Sequence, residues 1–174
     1  LLVPALLLAG HIERVLIIGS GEGVVSQLAV AAGAGHVDHV DIDREAVRLC
    51  AEHLPYGYSM DELCRAEQGL GPVTMHYLDG WDFVDRSTSS YDIVVVDLPD
   101  ERSETAQHNR LYDIGFLEMC RGIGRVVVGQ AGCPTLWRNQ TLLSSWLRFR
   151  KTFGAVVYFG SDEHEWAFLS GLSD

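Results

Sequence analysis

Ile93-Val94-Val95-Val96 constrains the fold of this chain more than any other segment. Four consecutive branched aliphatic residues show no period-two alternation. A strand through them is buried on both faces, as in a parallel sheet with helices on each side. Shorter Val- and Ile-rich runs at 14–18, 37–42, 73–78 and 125–130 read as further strands, and residues 91–98 form the strand around the tetrad. Residues 24–32, 44–53, 60–68 and 111–120 carry helical spacing between them. Strand–helix alternation predicts a doubly wound α/β sheet with right-handed crossovers. The last part breaks the alternation. Residues 136–151 predict a helix with Trp137, Leu142, Leu143, Trp146 and Phe149 facing inward. Residues 155–159 and 166–170 then predict two strands joined by an acidic turn, adding an antiparallel pair to one sheet edge.

The chain has 174 residues, which fits one domain spanning 1–174. No linker or internal repeat divides it, and 101–110 is the one polar stretch long enough for a mobile loop. Against 24 acidic side chains stand 13 basic ones, a net charge of −11. That balance argues against nucleic acid as the main partner and permits cationic ligands. Cys50, Cys64, Cys120 and Cys133 form no C-x-x-C pair. They predict neither a zinc site nor a disulfide framework, and read as small apolar residues of a reducing, cytoplasmic compartment. No apolar run approaches the ~20 residues of a membrane helix. Residues 1–10 are apolar but short, interrupted by Pro4 and without a charged leader, so a membrane or export role is not expected. The chain opens on Leu1 and not on Met, which predicts that N-terminal sequence has been removed.

The candidate chemistry sits at strand ends. Gly19-Ser20-Gly21-Glu22-Gly23 follows the first strand and opens a helix. Its glycines allow a tight turn and close backbone approach to a ligand, yet Val24 stands where a dinucleotide fingerprint needs its third glycine. About twenty residues on, Val40-Asp41-Ile42-Asp43 ends the second strand. One acid there can accept the ribose hydroxyls of an adenosine ligand while the other caps the next helix. Asp79, followed by Gly80, ends the third strand and suits either an adenine amino group or a helix cap. Asp97 and Asp100 follow the buried tetrad, and a pair of carboxylates in an apolar setting suits an amine substrate. His36 and His39 form no metal triad with any acid the spacing identifies. Ser20 and Ser26 have no histidine pattern for a nucleophilic triad.

In order and spacing these segments resemble the polyamine aminopropyltransferase family of spermidine, spermine and thermospermine synthases, over residues 2–170. Leu2-Val3-Pro4-Ala5-Leu6-Leu7 is similar to L-x-H-P-A-L-L, with Val3 in place of histidine. Residues 19–24 resemble the G-G-G-D/E-G-G/S loop, and 40–43 with Glu45, Val47 and Cys50 resemble the thermospermine-type D-I-D-E-E-V pattern. Residues 91–100 resemble Y-D-V-I-I-x-D-x-x-D. Leu111, Tyr112 and Phe116 resemble L-Y-x-x-x-F, residues 129–132 T-Q-A-G, and 166–168 the terminal W-G-F.

The resemblance implies a Rossmann-like sheet of the S-adenosylmethionine-methyltransferase type, mostly parallel with an antiparallel C-terminal strand and helices on both faces. It implies transfer of an aminopropyl group from decarboxylated S-adenosylmethionine, a donor substrate and not a resident cofactor, to a di- or polyamine. Methylthioadenosine is released, and no metal takes part. Gly19, Gly21, Gly23 and Gly80 would border the donor, Asp41 its ribose and Asp79 its adenine. Glu22 would meet the ammonium end and repel the carboxylate of undecarboxylated donor. Asp97 would accept the amine proton, Asp100 would hold the amine's charge, and Gln130 would line the pocket. Residues 101–110 would form a gate. The partners implied are a polyamine, the nucleoside donor and a second copy in a homodimer. The chain departs from the family at Glu101, in its gate sequence and at Asp162-Glu163-His164-Glu165, and the expectation is of a catalytic domain without the family's N-terminal β domain. Two rival readings stay open: a methyltransferase using intact S-adenosylmethionine, and a non-catalytic nucleoside-binding relative.

Overall fold

The computed structural model describes residues 1–101, 106–132, 140–161 and 164–173. Seven strands pair into one sheet: β1 (Arg14–Gly19), β2 (His36–Asp41), β3 (Val73–Tyr77), β4 (Tyr91–Asp97), β5 (Gly124–Gln130), β6 (Ala155–Ser161) and β7 (His164–Leu172). Their order is β3-β2-β1-β4-β5-β7-β6. The first five run parallel, while β7 lies antiparallel between β5 and β6. The helices are α1 (Leu2–Ala9), α2 (Val24–Ala31), α3 (Arg44–His53), α4 (Met60–Glu67), α5 (Gly80–Arg86), α6 (Ile114–Ile123) and α7 (Gln140–Thr152). This is the α/β sheet expected from the alternation of apolar runs, with the mixed, Rossmann-like character that the family resemblance implies.

The aliphatic tetrad of β4 is divided between two cores. Val94 and Val96 pack with Leu16, Ile18, Phe116 and Phe149 on one face. Ile93 and Val95 pack with Val15, Ile17 and residues of α1 and α2 on the other. Full burial of each such side chain contributes roughly 1.5–3 kcal/mol, so β1 and β4 form the stable centre. In register, Gly19 pairs with Asp97, which brings the carboxyl ends of the central strands to one edge. Strand order changes direction there, between β1 and β4, and open α/β sheets place their ligand crevice at such a point.

β2 reads His-Val-Asp-His-Val-Asp, yet its four inner residues are buried. Asp38, 6% exposed, accepts from the Tyr91 hydroxyl at 2.9 Å. Arg14 at 3.1 Å, His76 Nε2 at 2.8 Å and His36 Nε2 at 3.2 Å complete its surroundings. Burial pushes its pKa up, but the bonds from His76 and Tyr91 and the charge of His36 outweigh burial and hold it at about 2.

Several expectations are corrected. α1 and α5 lay outside the expected helices: α1 is apolar nearly all round, and α5 has only seven residues. The helix expected over 111–120 is split. A 3₁₀ helix (Gln107–Tyr112) ends at Asp113, whose extended backbone separates it from α6. That 3₁₀ helix also orders the end of the stretch read as a loop. Leu143 is 55% exposed and not inward, while Phe149 is buried and Leu142 and Trp146 pack partly against the core. Trp137 and Cys133 lie outside the described residues. β6 and β7 run longer than expected and leave only 162–163 between them. Among the described residues, no helix is long and apolar enough to cross a membrane.

The Asp38 cluster gives a stability test. Its folded pKa lies below the unfolded value, so the ionised group stabilises the fold above about pH 4, and that contribution is lost as pH falls toward 2. Asp38→Asn is expected to lower unfolding free energy by roughly 2 kcal/mol at pH 7. In urea titrations the gap from the parent chain should shrink steadily between pH 4 and pH 2.

Candidate active site

A cleft of about 680 Å³ opens at the carboxyl edge of the sheet. It is lined from β1 and its turn (Gly19, Ser20, Gly21, Glu22), from β2 (Asp41, with Asp43 beyond), from Asp79 and Gly80, and from Asp97 and Asp100. Gln130 and Trp166 approach from β5 and β7. The fold therefore brings together every expected site residue except Gly23.

Gly19 carries the turn. Its φ is +82°, and an added Cβ would collide with the Asp97 carbonyl oxygen. Ser20, also left-handed at φ 62°, donates its N–H to that carbonyl at 3.0 Å. The chain can thus cross the end of β4 closely enough for Glu22 and Asp97 to share a cleft. Gly23 corrects an expectation: it does not line the cleft. It caps α2 in the left-handed region, and the Tyr58 ring fills the space a side chain would need.

Asp41 and Asp43 divide their tasks. Asp43 Oδ1 accepts from the Ala46 N–H at 2.9 Å and caps α3. Asp41 Oδ1 accepts from the Asp43 N–H, and Asp41 faces the cleft beside Gly21. Burial raises the Asp41 pKa, and the charges of Asp43 and Glu22 add to it. Asp79 combines both of its expected uses. It caps α5 through the Trp81 N–H at 2.9 Å and also lines the cleft. Its other oxygen is held by Arg110 at 2.7 Å and Gln107 at 3.3 Å, both from the 3₁₀ helix. Burial alone would raise its pKa, but the Arg110 guanidinium and the Trp81 N–H outweigh it and hold the carboxyl low.

Asp97 is pushed the other way. Burial lifts its pKa and the Glu22 charge adds to the rise, against a hydrogen bond from the Ser20 hydroxyl. It is suited to take up a proton. Asp100 is exposed and fixed through its neighbours. Gln130 Nε2 donates to its Oδ1 at 3.1 Å, and His108 Nε2 donates to its carbonyl at 3.0 Å. Next to it, Glu101 is clamped by both terminal nitrogens of Arg148, at 2.8 and 2.9 Å. Gln130, expected only to line the pocket, thus orients an acid.

Sequence reasoning places Trp166 in the terminal W-G-F strand and Gln107 and His108 in the 101–110 gate but names none as a cleft residue; Trp166 is 42% exposed at the cleft, and the other two line it from the 3₁₀ helix. It does not single out Arg110 either. Their spacing assigns none of them to the cleft or to Asp79, and only tertiary folding sets them there. Cys50 lines the cleft and so departs from the buried apolar role expected of it, whereas Cys120 is fully buried. Among the described residues, the cleft is lined by six carboxylates and by no lysine or arginine. No group of three metal-ligating side chains is found among those residues.

Strand order and an acid-lined crevice at the switch point define the class: a Rossmann-like sheet of the methyltransferase type, with its ligand cleft beyond β1, β2 and β4. Residues 3–159 match the family model described as "Spermine/spermidine synthase domain", and the chain belongs to that family. A polyamine aminopropyltransferase from Prochlorococcus marinus is 31% identical over 156 residues, covering 87% of this chain and 51% of that protein. The chain spans about half the length of the curated relatives it matches. Among solved structures, a spermidine synthase in complex with the transition-state analogue AdoDATO superposes at TM-score 0.76 with 14% identity, over 94% of this chain and 55% of that one. Human methyltransferase-like protein 13 in complex with SAH gives 0.67 with 15% identity, over 98% and 76%. These structural likenesses concern the fold, which the two enzyme types share.

Asp97 yields a test independent of substrate. Its folded pKa stands above the unfolded value, so the ionised group opposes folding. That penalty is absent below the ordinary aspartate range, grows as pH rises, and is complete above the raised value. Asp97→Asn should raise the thermal midpoint at pH 7, and the gain should vanish on acidification. A midpoint at pH 7 equal to or below that of the parent would contradict the buried-charge account.

Proposed function

We propose that residues 1–174 form one catalytic unit that moves an aminopropyl group from decarboxylated S-adenosylmethionine to a di- or polyamine. The observation that carries this reading is the charge of the cleft: six carboxylates line it without a lysine or arginine. Donor and acceptor are both cations, and such a cleft concentrates and orders them. A nucleic acid or a phosphorylated ligand would be repelled.

In this reading Asp41 accepts the ribose hydroxyls and Asp79 the adenine amino group, while Gly19, Gly21 and Gly80 let the backbone lie close to the nucleoside. Glu22 holds the ammonium end of the aminopropyl chain. The same carboxylate repels undecarboxylated donor, which selects against methyl transfer from intact S-adenosylmethionine. The acceptor's charged amine rests on Asp100, whose orientation Gln130 maintains. The attacking amine gives its proton to Asp97 and forms a C–N bond to the carbon beside the sulfonium. The C–S bond breaks, and sulfur keeps the electron pair as the neutral thioether of methylthioadenosine. Because the electrophile is already activated, alignment and a deprotonated amine are most of what the protein supplies. The raised pKa of Asp97 supports a proton acceptor, and the 3₁₀ helix bound to Asp79 supports a gate running over the donor. Small polyamines and the nucleoside donor are the partners of this reading, in the cytoplasm and with a second copy forming a homodimer.

One assay tests the reading. The chain is incubated with decarboxylated or intact donor and a panel of amines, and the nucleoside product is measured. Methylthioadenosine formed only from decarboxylated donor plus an amine is expected. S-adenosylhomocysteine from intact donor would overturn it in favour of a methyltransferase, and nucleoside binding without either product would leave a non-catalytic module. Asp97→Asn should abolish turnover while sparing donor affinity, read by calorimetry with the decarboxylated donor.

A further inference from the structure

Behind the glycine turn lies a buried polar cluster that the proposed reaction does not use. His39, fully buried in β2, places Nε2 2.7 Å from the Gly19 carbonyl oxygen. A carbonyl only accepts, so Nε2 carries the proton and Nδ1 is left as an acceptor. The Tyr58 hydroxyl lies 2.8 Å and the Ser26 hydroxyl 3.1 Å from Nδ1. Burial lowers the imidazole pKa to about 4, which keeps the ring neutral at neutral pH. Spacing along the chain connects none of these three residues, and Ser26 finds its histidine only in the fold.

Tyr58 holds the same turn from a second direction. Its N–H donates to the Glu22 carbonyl at 3.0 Å, and its ring fills the space beside Gly23. Two carbonyls of the turn, Gly19 and Glu22, are thus fixed from outside it, and the two anchors bond to each other through the Tyr58 hydroxyl. The turn needs such support. Gly19, Ser20 and Gly23 all lie in the left-handed region, and glycines carry no side chain to lock it.

We infer that His39 is a positioning residue: its Nε2–H, backed by Tyr58, fixes the Gly19 carbonyl and thereby the place from which Glu22 meets the charged end of the donor. The inference rests on the aminopropyl-donor reading for its affinity readout, and on the turn geometry alone for its second readout. Gln at position 39 can donate to the carbonyl and accept from the hydroxyl, whereas Leu can do neither.

The test compares His39→Leu, His39→Gln and the parent chain. Calorimetry measures affinity for decarboxylated S-adenosylmethionine and for methylthioadenosine, which lacks the ammonium. Amide hydrogen exchange is followed at residues 20–23. His39→Leu should weaken the decarboxylated donor about tenfold, the scale of one lost buried hydrogen bond, and methylthioadenosine far less. It should also speed exchange in the turn. His39→Gln should recover most of both. An unchanged ratio of the two affinities in a folded Leu variant, or a Gln variant as impaired as Leu, would overturn the inference and leave His39 a packing residue. Should the Leu variant not fold, Tyr58→Phe keeps the ring and the backbone bond and carries the same comparison, with a shift of about threefold expected. Should the parent bind neither nucleoside, the donor reading fails by itself, and the exchange comparison decides the inference.

Discussion

The contact between Gly19 and the Asp97 carbonyl is the constraint on which the rest of this structure depends. Two parallel strands end side by side, and the chain leaving one must cross the end of the other. Only a residue without Cβ fits there, and Ser20 then ties the crossing down through its N–H. Because the approach is so close, Glu22 and Asp97 face one space instead of diverging into solvent. Their mutual repulsion, added to burial, lifts the proton affinity of Asp97. Backbone geometry and side-chain acidity at this edge are one arrangement.

β2 shows how a central strand carries polar groups at little loss. Asp38 and His39 are neighbours and point to opposite faces. Each is buried, and each is met by fitted partners: Arg14, His36, His76 and Tyr91 for the acid, and Gly19, Ser26 and Tyr58 for the imidazole. A buried polar group is costly only when unsatisfied. β2 therefore serves as frame on both sides, while its last residue, Asp41, serves the cleft.

Much of the fold was legible because apolar runs report burial directly. The tetrad 93–96 could only be an interior strand, and its residues do split between the two cores. The acids at 22, 41, 79, 97 and 100 were legible because each follows a strand or glycine turn, and parallel strands bring such ends together. α5 and the 3₁₀ helix were not, because short helices have little periodicity and depend on tertiary contacts such as Arg110 with Asp79. Trp166 and Tyr58 were invisible as site components for a related reason. A residue remote in sequence reaches the cleft or the turn only through packing, and no spacing encodes that. Gly23 matched a motif, and its real constraint is a ring from the segment between α3 and α4.

The ion-paired frame has one more consequence. Asp38 titrates near pH 2 and His39 near pH 4, whereas Asp97 is displaced upward from the ordinary aspartate range. Asp38 is held down by its hydrogen-bonding partners and His39 by burial, while burial and the Glu22 charge hold Asp97 up. One fold therefore displaces proton affinity in opposite senses within one sheet: the frame under the sheet edge resists a proton, and the carboxylate at the cleft welcomes one.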